Sequence, residues 1–136
     1  MKIVLDTNVL YSAFIQASPR MQRLIDWTIS NHDVYVTPTI IVEILEKAAE
    51  RAPDTLPSIV ALLASDSVGL LDEHLPLAPK RVIIRDKNDQ AIIDAAISND
   101  IDVIITGDKD YHALELEHPI TMYPGDFAAA FLTSES

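Results

Sequence analysis

The sequence alternates short apolar runs with segments of helical periodicity. Residues 2–5 (KIVL) and 103–106 (VIIT) are uninterrupted and rich in β-branched side chains, as is typical of parallel strands buried on both faces. Weaker runs at residues 34–37, 67–71 and 120–123 predict three further strands. The pattern therefore predicts a sheet of five strands.

Helical patterns fill the intervals between these runs. They cover residues 18–31, 38–51, 57–66, 88–100 and 126–132. The first two follow a hydroxyl residue and a proline, which together favour a helix start. This alternation predicts an α/β fold, a three-layer α/β/α sandwich around a central, mainly parallel sheet.

Composition narrows the classes of protein that fit. A chain of 136 residues that is 49% hydrophobic is expected to form one globular domain over residues 1–136. Ten basic and 21 acidic residues give a net charge of −11, which argues against nucleic-acid binding through a broad basic surface. Cysteine is absent, so disulfides and thiolate metal sites are excluded. Without a signal-peptide pattern or an apolar run of about 18 residues, we expect a soluble cytoplasmic protein with no membrane partner.

Acidic residues follow the two strongest strand patterns. Asp6 comes directly after residues 2–5, and Asp108 lies two residues beyond Thr106. The carboxyl ends of parallel strands face one crevice, so the two carboxylates would meet there if their strands are neighbours. Each could equally cap the helix that follows it, since aspartate is favoured at that position.

Two further acids stand on predicted helices. Asp89, with Asp86 before it, belongs to the start of the helix at residues 88–100, where the helix dipole favours carboxylates. Glu43 lies at the edge of an apolar stripe, and periodicity alone predicts a solvated side chain there, with Lys47 on the outer face.

A local group of basic residues lies in and after a proline-containing connection. It consists of Lys80, Arg81, Arg85 and Lys87. A solvated loop and a phosphate-contacting edge are both compatible with it.

Five segments, in this order and spacing, resemble the PIN domain family. They are VLDTNVL (4–10), SPRMQRLIDW (18–27), VTPTIIVEILEKA (36–48), RDKNDQAIIDAA (85–96) and VIITGDKDYHAL (103–114). The resemblance runs from Lys2 to about Tyr123. It points in particular to small prokaryotic PIN proteins of the VapC type, the toxin components of toxin–antitoxin pairs.

The resemblance implies a metal-dependent endoribonuclease with a PIN-like fold. The acids that it implies as catalytic residues and as ligands of Mg²⁺ or Mn²⁺ are Asp6, Glu43, Asp89 and Asp108, with Asn8, Thr106 and Asp110 in supporting positions. It also implies RNA as substrate and a small basic antitoxin as partner, and it leaves a homodimer open. Lys87 and Tyr111 depart from the family pattern, which often has proline and leucine at these positions.

Elementary chemistry agrees with such a site. Carboxylates a few ångströms apart repel one another, which raises their proton affinity unless a cation is present. Mg²⁺ and Mn²⁺ take oxygen ligands and lower the pKa of a bound water, so phosphodiester hydrolysis needs no side-chain nucleophile.

Two other functions are compatible with the same residues. A haloacid-dehalogenase-like phosphohydrolase would use Asp6 as a covalent nucleophile, but it would need a second aspartate where this chain has Asn8. A non-catalytic PIN-like module that binds RNA or protein would not require all four acids.

Overall fold

The computed structural model describes residues 1–73 and 82–132. Its strands are β1 (Lys2–Leu5), β2 (Asp33–Val36), β3 (Val68–Leu70), β4 (Val103–Ile105) and β5 (Ile120–Met122). They form one parallel sheet in the order β3-β2-β1-β4-β5. The five predicted strands are therefore confirmed, each bound lying within one residue of the predicted run.

Helices connect the strands and complete the expected three-layer α/β/α arrangement. They are α1 (Thr7–Leu10), α2 (Pro19–Asn31), α3 (Pro38–Arg51), α4 (Leu56–Leu63), α5 (Lys87–Ser98), α6 (Lys109–His112) and α7 (Pro124–Phe131). A π-helical turn, Tyr11–Ile15, extends α1, and a 3₁₀ turn, Pro53–Thr55, precedes α4. Periodicity did not predict α1 or α6, because four residues are too few to show a helical repeat.

The longer helices begin where the sequence predicts. Ser18 accepts a hydrogen bond from the amide of Met21 at 3.3 Å, and Thr37 accepts one from the amide of Ile40 at 3.2 Å. In both helices a proline follows the capping residue, where its missing N–H costs nothing.

The two central strands form the rigid base of the candidate site. β1 and β4 pair side by side, with Leu5 opposite Ile105, and their apolar side chains are at most 2% exposed. The chain leaves β1 for β2 on one side and reaches β4 on the other, so the strand order reverses between them. Ligands of parallel α/β sheets bind beyond the carboxyl ends of the strands at such a point.

The predicted basic group can be placed only in part. Lys80 and Arg81 lie outside the described residues, whereas Arg85 and Lys87 are exposed at the start of α5. Within residues 1–73 and 82–132, no helix is long and apolar enough to cross a membrane.

Candidate active site

Asp6 lies at the carboxyl end of β1 and is only 4% exposed. Its Oδ1 accepts a hydrogen bond from the amide of Thr7 at 2.8 Å. Its Oδ2 accepts two more, from Thr106 Oγ1 at 2.7 Å and from Asn8 Nδ2 at 3.0 Å. Asp6 therefore caps α1, and the same contacts fix its carboxylate at the edge of the sheet.

Asn8 and Thr106 join the ends of the two central strands. Asn8 Nδ2 also donates to Thr106 Oγ1 at 3.2 Å, and Asn8 Oδ1 accepts from the amide of Gly107 at 3.0 Å. Thr106 Oγ1 in turn accepts from the amide of Asp108 at 3.0 Å. These contacts hold Thr106, the residue after β4, beside Asp6.

Asp108 and Asp110 have different surroundings although they are close in sequence. Asp108 caps α6 by accepting from the amide of Asp110 at 2.9 Å, so the capping interpretation is correct for this acid too. Asp110 pairs with the exposed Arg85, whose Nη2 lies 3.6 Å from Asp110 Oδ2. This surface ion pair contributes little to stability, but it places one residue of the basic group beside α6.

Glu43 does not occupy the solvated position that periodicity predicts. Its side chain is half-buried, and Glu43 Oε1 accepts a hydrogen bond from Thr7 Oγ1 at 3.0 Å. Helical periodicity identifies the residues that face the core, but it does not show that the edge of the stripe borders a crevice. Thr7, which sequence reasoning did not single out, could have been noticed only as the neighbour of Asp6.

Asp89 lies in the first turn of α5 and is held by an unexpected partner. The hydroxyl of Tyr111 donates to Asp89 Oδ1 at 3.1 Å, and the Tyr111 side chain is completely buried. The available signal was its spacing, since Tyr111 follows Asp108 by three residues on a turn that begins at the candidate site.

All four sequence-predicted acids border one small cavity at the carboxyl edge of the sheet. The cavity has a volume of about 100 Å³ and is lined by Asp6, Thr7, Asn8, Glu43, Lys47, Asp89 and Asp108. Lys47 is therefore not on the outer face, where periodicity had put it. It lies one helical turn beyond Glu43, a spacing that keeps two side chains on the same face.

Burial and mutual repulsion raise the proton affinity of two of these acids. Burial, together with the charges of Glu43 and Asp108, raises the pKa of Asp6 to about 6, although hydrogen bonds from Thr106 and Thr7 act in the opposite direction. Burial and the charge of Asp6 raise the pKa of Asp89 to about 7. The same surroundings raise the pKa of the Tyr111 hydroxyl, which therefore remains a proton donor. A cation would relieve this repulsion.

The donor atoms suit a hard divalent cation. Among the described residues, no three His, Asp or Glu side chains form a ready-made cage for a metal ion. Mg²⁺, however, keeps several waters and is usually bound through one or two carboxylates. The carboxylate oxygens around the cavity therefore fit an ion that is held partly through water.

Comparison with known proteins identifies the family. A sequence model of the PIN domain matches residues 2–110, a span that includes all four acids. The chain belongs to the PIN domain family. PIN domains are generally nucleases and generally use divalent metals. Family membership leaves the haloacid-dehalogenase alternative without support. That alternative needs an aspartate at position 8, where this chain has Asn8, whose side-chain amide donates a hydrogen bond to Asp6.

A solved structure shares the fold of this PIN domain. The similarity is to a chain in the crystal structure of VapBC2 from Rickettsia felis bound to a DNA fragment from their promoter. The TM-score is 0.68 at 13% sequence identity, over 90% of this chain and 98% of that chain. A search of curated proteins gave no match. At this low identity, the likeness shows a common fold.

Proposed function

We propose that this PIN domain is an Mg²⁺- or Mn²⁺-dependent endoribonuclease and the toxin of a type II toxin–antitoxin pair. The observation that carries the proposal is the position of Asp6, Glu43, Asp89 and Asp108 around one cavity at the carboxyl edge of the sheet. Such a gathering of carboxylates is costly without a cation and useful with one.

The acids have separate roles in this proposal. Asp6, Asp89 and Asp108 would hold the cation, directly or through water, while Asn8 and Thr106 keep Asp6 oriented. When bound, the cation would lower the pKa of a water and stabilise negative charge on the phosphoryl oxygens. Glu43, steadied by the hydroxyl of Thr7, accepts the proton of the attacking water or orients it. A bond forms between the water oxygen and phosphorus as the bond to the leaving oxygen breaks, and the leaving oxygen takes a proton from solvent water.

Cleavage of RNA by matched variants tests the nuclease. Total RNA and purified tRNA are incubated with the protein in Mg²⁺, Mn²⁺ or EDTA. We expect cleavage only with a metal, and a loss of roughly 100-fold or more in Asp6→Asn, whose circular dichroism stays that of the wild type. Asp54→Asn removes an exposed charge of the same kind on the 3₁₀ turn and is the control. An Asp6→Asn protein that cuts as fast as the wild type would overturn the site assignment.

The toxin role predicts a small basic partner encoded beside this chain. The net charge of −11 favours a basic partner and would raise the rate of association more surely than the affinity. The shared fold with a chain from VapBC2 supports the same role. We expect the neighbouring basic protein to co-purify with this chain and to inhibit cleavage. If the chain cuts RNA but that neighbour neither binds nor inhibits it, the toxin role fails and the nuclease stands. The family resemblance leaves a homodimer open, and sedimentation of the purified chain decides between monomer and dimer.

A further inference from the structure

Two cationic side chains lie against one aromatic ring beside the cavity. Lys47 Nζ lies 5.6 Å from the centroid of the Tyr11 ring, and Arg51 Cζ lies at the same distance. Arg51 Nη1 also donates a hydrogen bond to the Tyr11 hydroxyl at 2.7 Å. Lys47 at the same time lines the cavity of the carboxylates. Tyr11 thus connects the guanidinium of Arg51, an exposed residue, to the edge of the candidate site.

Both cations lie near carboxylates, Lys47 at the acid-lined cavity and Arg51 beside Glu50 on α3. Lys47 and Arg51 nevertheless form no ion pair with any other described residue, although the chain contains 21 acidic side chains. Two like charges gathered on one ring repel each other, and a role in stability alone would be better served by carboxylate partners. Unpaired cations close together are instead suited to bind an anion with more than one negative charge.

Lys47 and Arg51 lie on α3 in a row that begins at the cavity. Glu43, Lys47 and Arg51 follow one another at intervals of four residues on α3, so they share one face and advance by about 6 Å at each step. Tyr11 belongs to the π-helical turn that continues α1, which begins directly after Asp6. The cations therefore lead away from the cavity in a line, and their support is anchored to the strand that carries Asp6.

We propose that Lys47 and Arg51 bind successive phosphates of an RNA strand on one side of the scissile bond. Tyr11 is the positioning residue that holds both cations. The proposal rests on the ribonuclease function and adds a path for the substrate, which a chain of net charge −11 would otherwise repel. The planar guanidinium of Arg51 suits two-pronged contact with a phosphate, whereas Lys47 supplies a point charge near the reacting group.

Kinetics on substrates of two lengths test the proposal. We compare Lys47→Gln and Arg51→Gln with Arg23→Gln, a control that removes the same charge from an exposed position on α2. On a single-stranded oligoribonucleotide, we expect each of the first two variants to raise KM roughly tenfold and the control to leave it unchanged. The slope of log(kcat/KM) against log salt should become shallower by about 0.7 for each lost phosphate contact.

Substrate length and conservative variants separate binding from structure. On a dinucleotide, whose single phosphodiester bond is the one that is cut, the effects of Lys47→Gln and Arg51→Gln should both disappear, since the two flanking phosphates are missing. Lys47→Arg keeps the positive charge, so its KM should stay close to that of the wild type. Tyr11→Phe keeps the ring but removes the hydroxyl that Arg51 contacts, so it should raise KM less than Arg51→Gln does.

Failure of this proposal can be told from failure of the ribonuclease function. If the wild type cleaves RNA and both Gln variants keep its KM and salt slope, the phosphate path is wrong. It is also wrong if their defects are matched by a lower Tm and are the same on the dinucleotide. If the wild type cleaves no RNA, the ribonuclease function fails instead. Binding of a labelled oligoribonucleotide, measured by fluorescence anisotropy, then tests the phosphate contacts directly. The Asp6→Asn variant is compared with the double variant Asp6→Asn/Arg51→Gln, and equal affinities would reject the proposal.

Discussion

The hydroxyl of Tyr111 donates a hydrogen bond to Asp89 Oδ1 and so joins α6 to the first turn of α5. It favours the ionised carboxylate and partly offsets the burial and the repulsion from Asp6 that raise the pKa of Asp89. Leucine, which is common at this position in the family that the sequence resembles, could not make this contact. This chain therefore has its own means of orienting one of the four acids.

Tyr111→Phe removes that donor and keeps the ring in the core. We expect a further rise in the pKa of Asp89, which moves the acid limb of the pH–activity profile to higher pH, and a loss of about 1 kcal/mol in the free energy of unfolding. Measurement of kcat/KM against pH checks the shift. Tyr123→Phe removes the hydroxyl of an exposed tyrosine and serves as the control. An acid limb that stays in place would contradict a role for Tyr111 in orienting Asp89.

Thr106→Val removes the shortest hydrogen bond to Asp6 without changing the shape of the side chain. Because the site is buried, we expect the free energy of unfolding to fall by about 1–3 kcal/mol. Loss of a residue that orients a ligand should also weaken Mn²⁺ binding by roughly 10–100-fold. Thr106→Ser keeps the hydroxyl and should behave like the wild type. Urea denaturation and calorimetry measure the two effects, and wild-type Mn²⁺ affinity in the Val variant would exclude the orienting role.

Glu43 and Glu46 offer a matched pair on α3. Glu43 lines the cavity and contacts Thr7, whereas Glu46 is exposed. We expect Glu43→Gln to lower the single-turnover rate of cleavage by roughly 100-fold, because the amide cannot accept a proton. Glu46→Gln makes the same change of charge and should leave the rate unchanged. Equal rates for the two variants would remove Glu43 from the catalytic set.

The stability of the protein without metal should depend on pH through Asp6 and Asp89. Both have raised pKa values, to about 6 and about 7 from 3.8, so the folded state binds their protons more tightly than the unfolded state does. Their contribution to the free energy of unfolding therefore falls as pH rises. It falls between about pH 4 and pH 6 for Asp6 and between about pH 4 and pH 7 for Asp89, and above these ranges it is constant.

Urea denaturation in EDTA across this pH range isolates the effect. Asp6→Asn and Asp89→Asn should gain stability relative to the wild type as pH rises through each window, and the gain should then level off. Excess Mg²⁺ at pH 7 should stabilise the wild type by binding the folded state. A difference between variant and wild type that is the same at pH 4 and at pH 7 would contradict the raised pKa values.

The sequence predicted the parts of the structure that depend on continuous apolar runs. β1 and β4 were readable because both faces of each strand are buried, and the meeting of Asp6 with Asp108 followed from the geometry of parallel strand ends. The position of Glu43 could not be derived in this way, since periodicity separates core from solvent and does not reveal a crevice. Only the family resemblance had put Glu43 among the acids.

The contacts made by the short elements were beyond prediction for a different reason. α6 is too short to show periodicity, so only the spacing of Tyr111 from Asp108 hinted at its place, and nothing indicated its burial or its contact with Asp89. Lys47 was misplaced because the face of α3 that borders the cavity depends on how the helix packs on its neighbours.

The pairing of β1 with β4 in the middle of the sheet also determines how the site would respond to partial unfolding. The amide of Asp6 donates to the carbonyl of Ile105 at 3.1 Å, which extends the central ladder by one bond past β1. Local opening begins at edges and termini, here at β3 or β5, and reaches the central strands last. We expect the amide of Asp6 to be among the slowest to exchange its hydrogen, so that its carboxylate stays in place while the borders of the sheet fray.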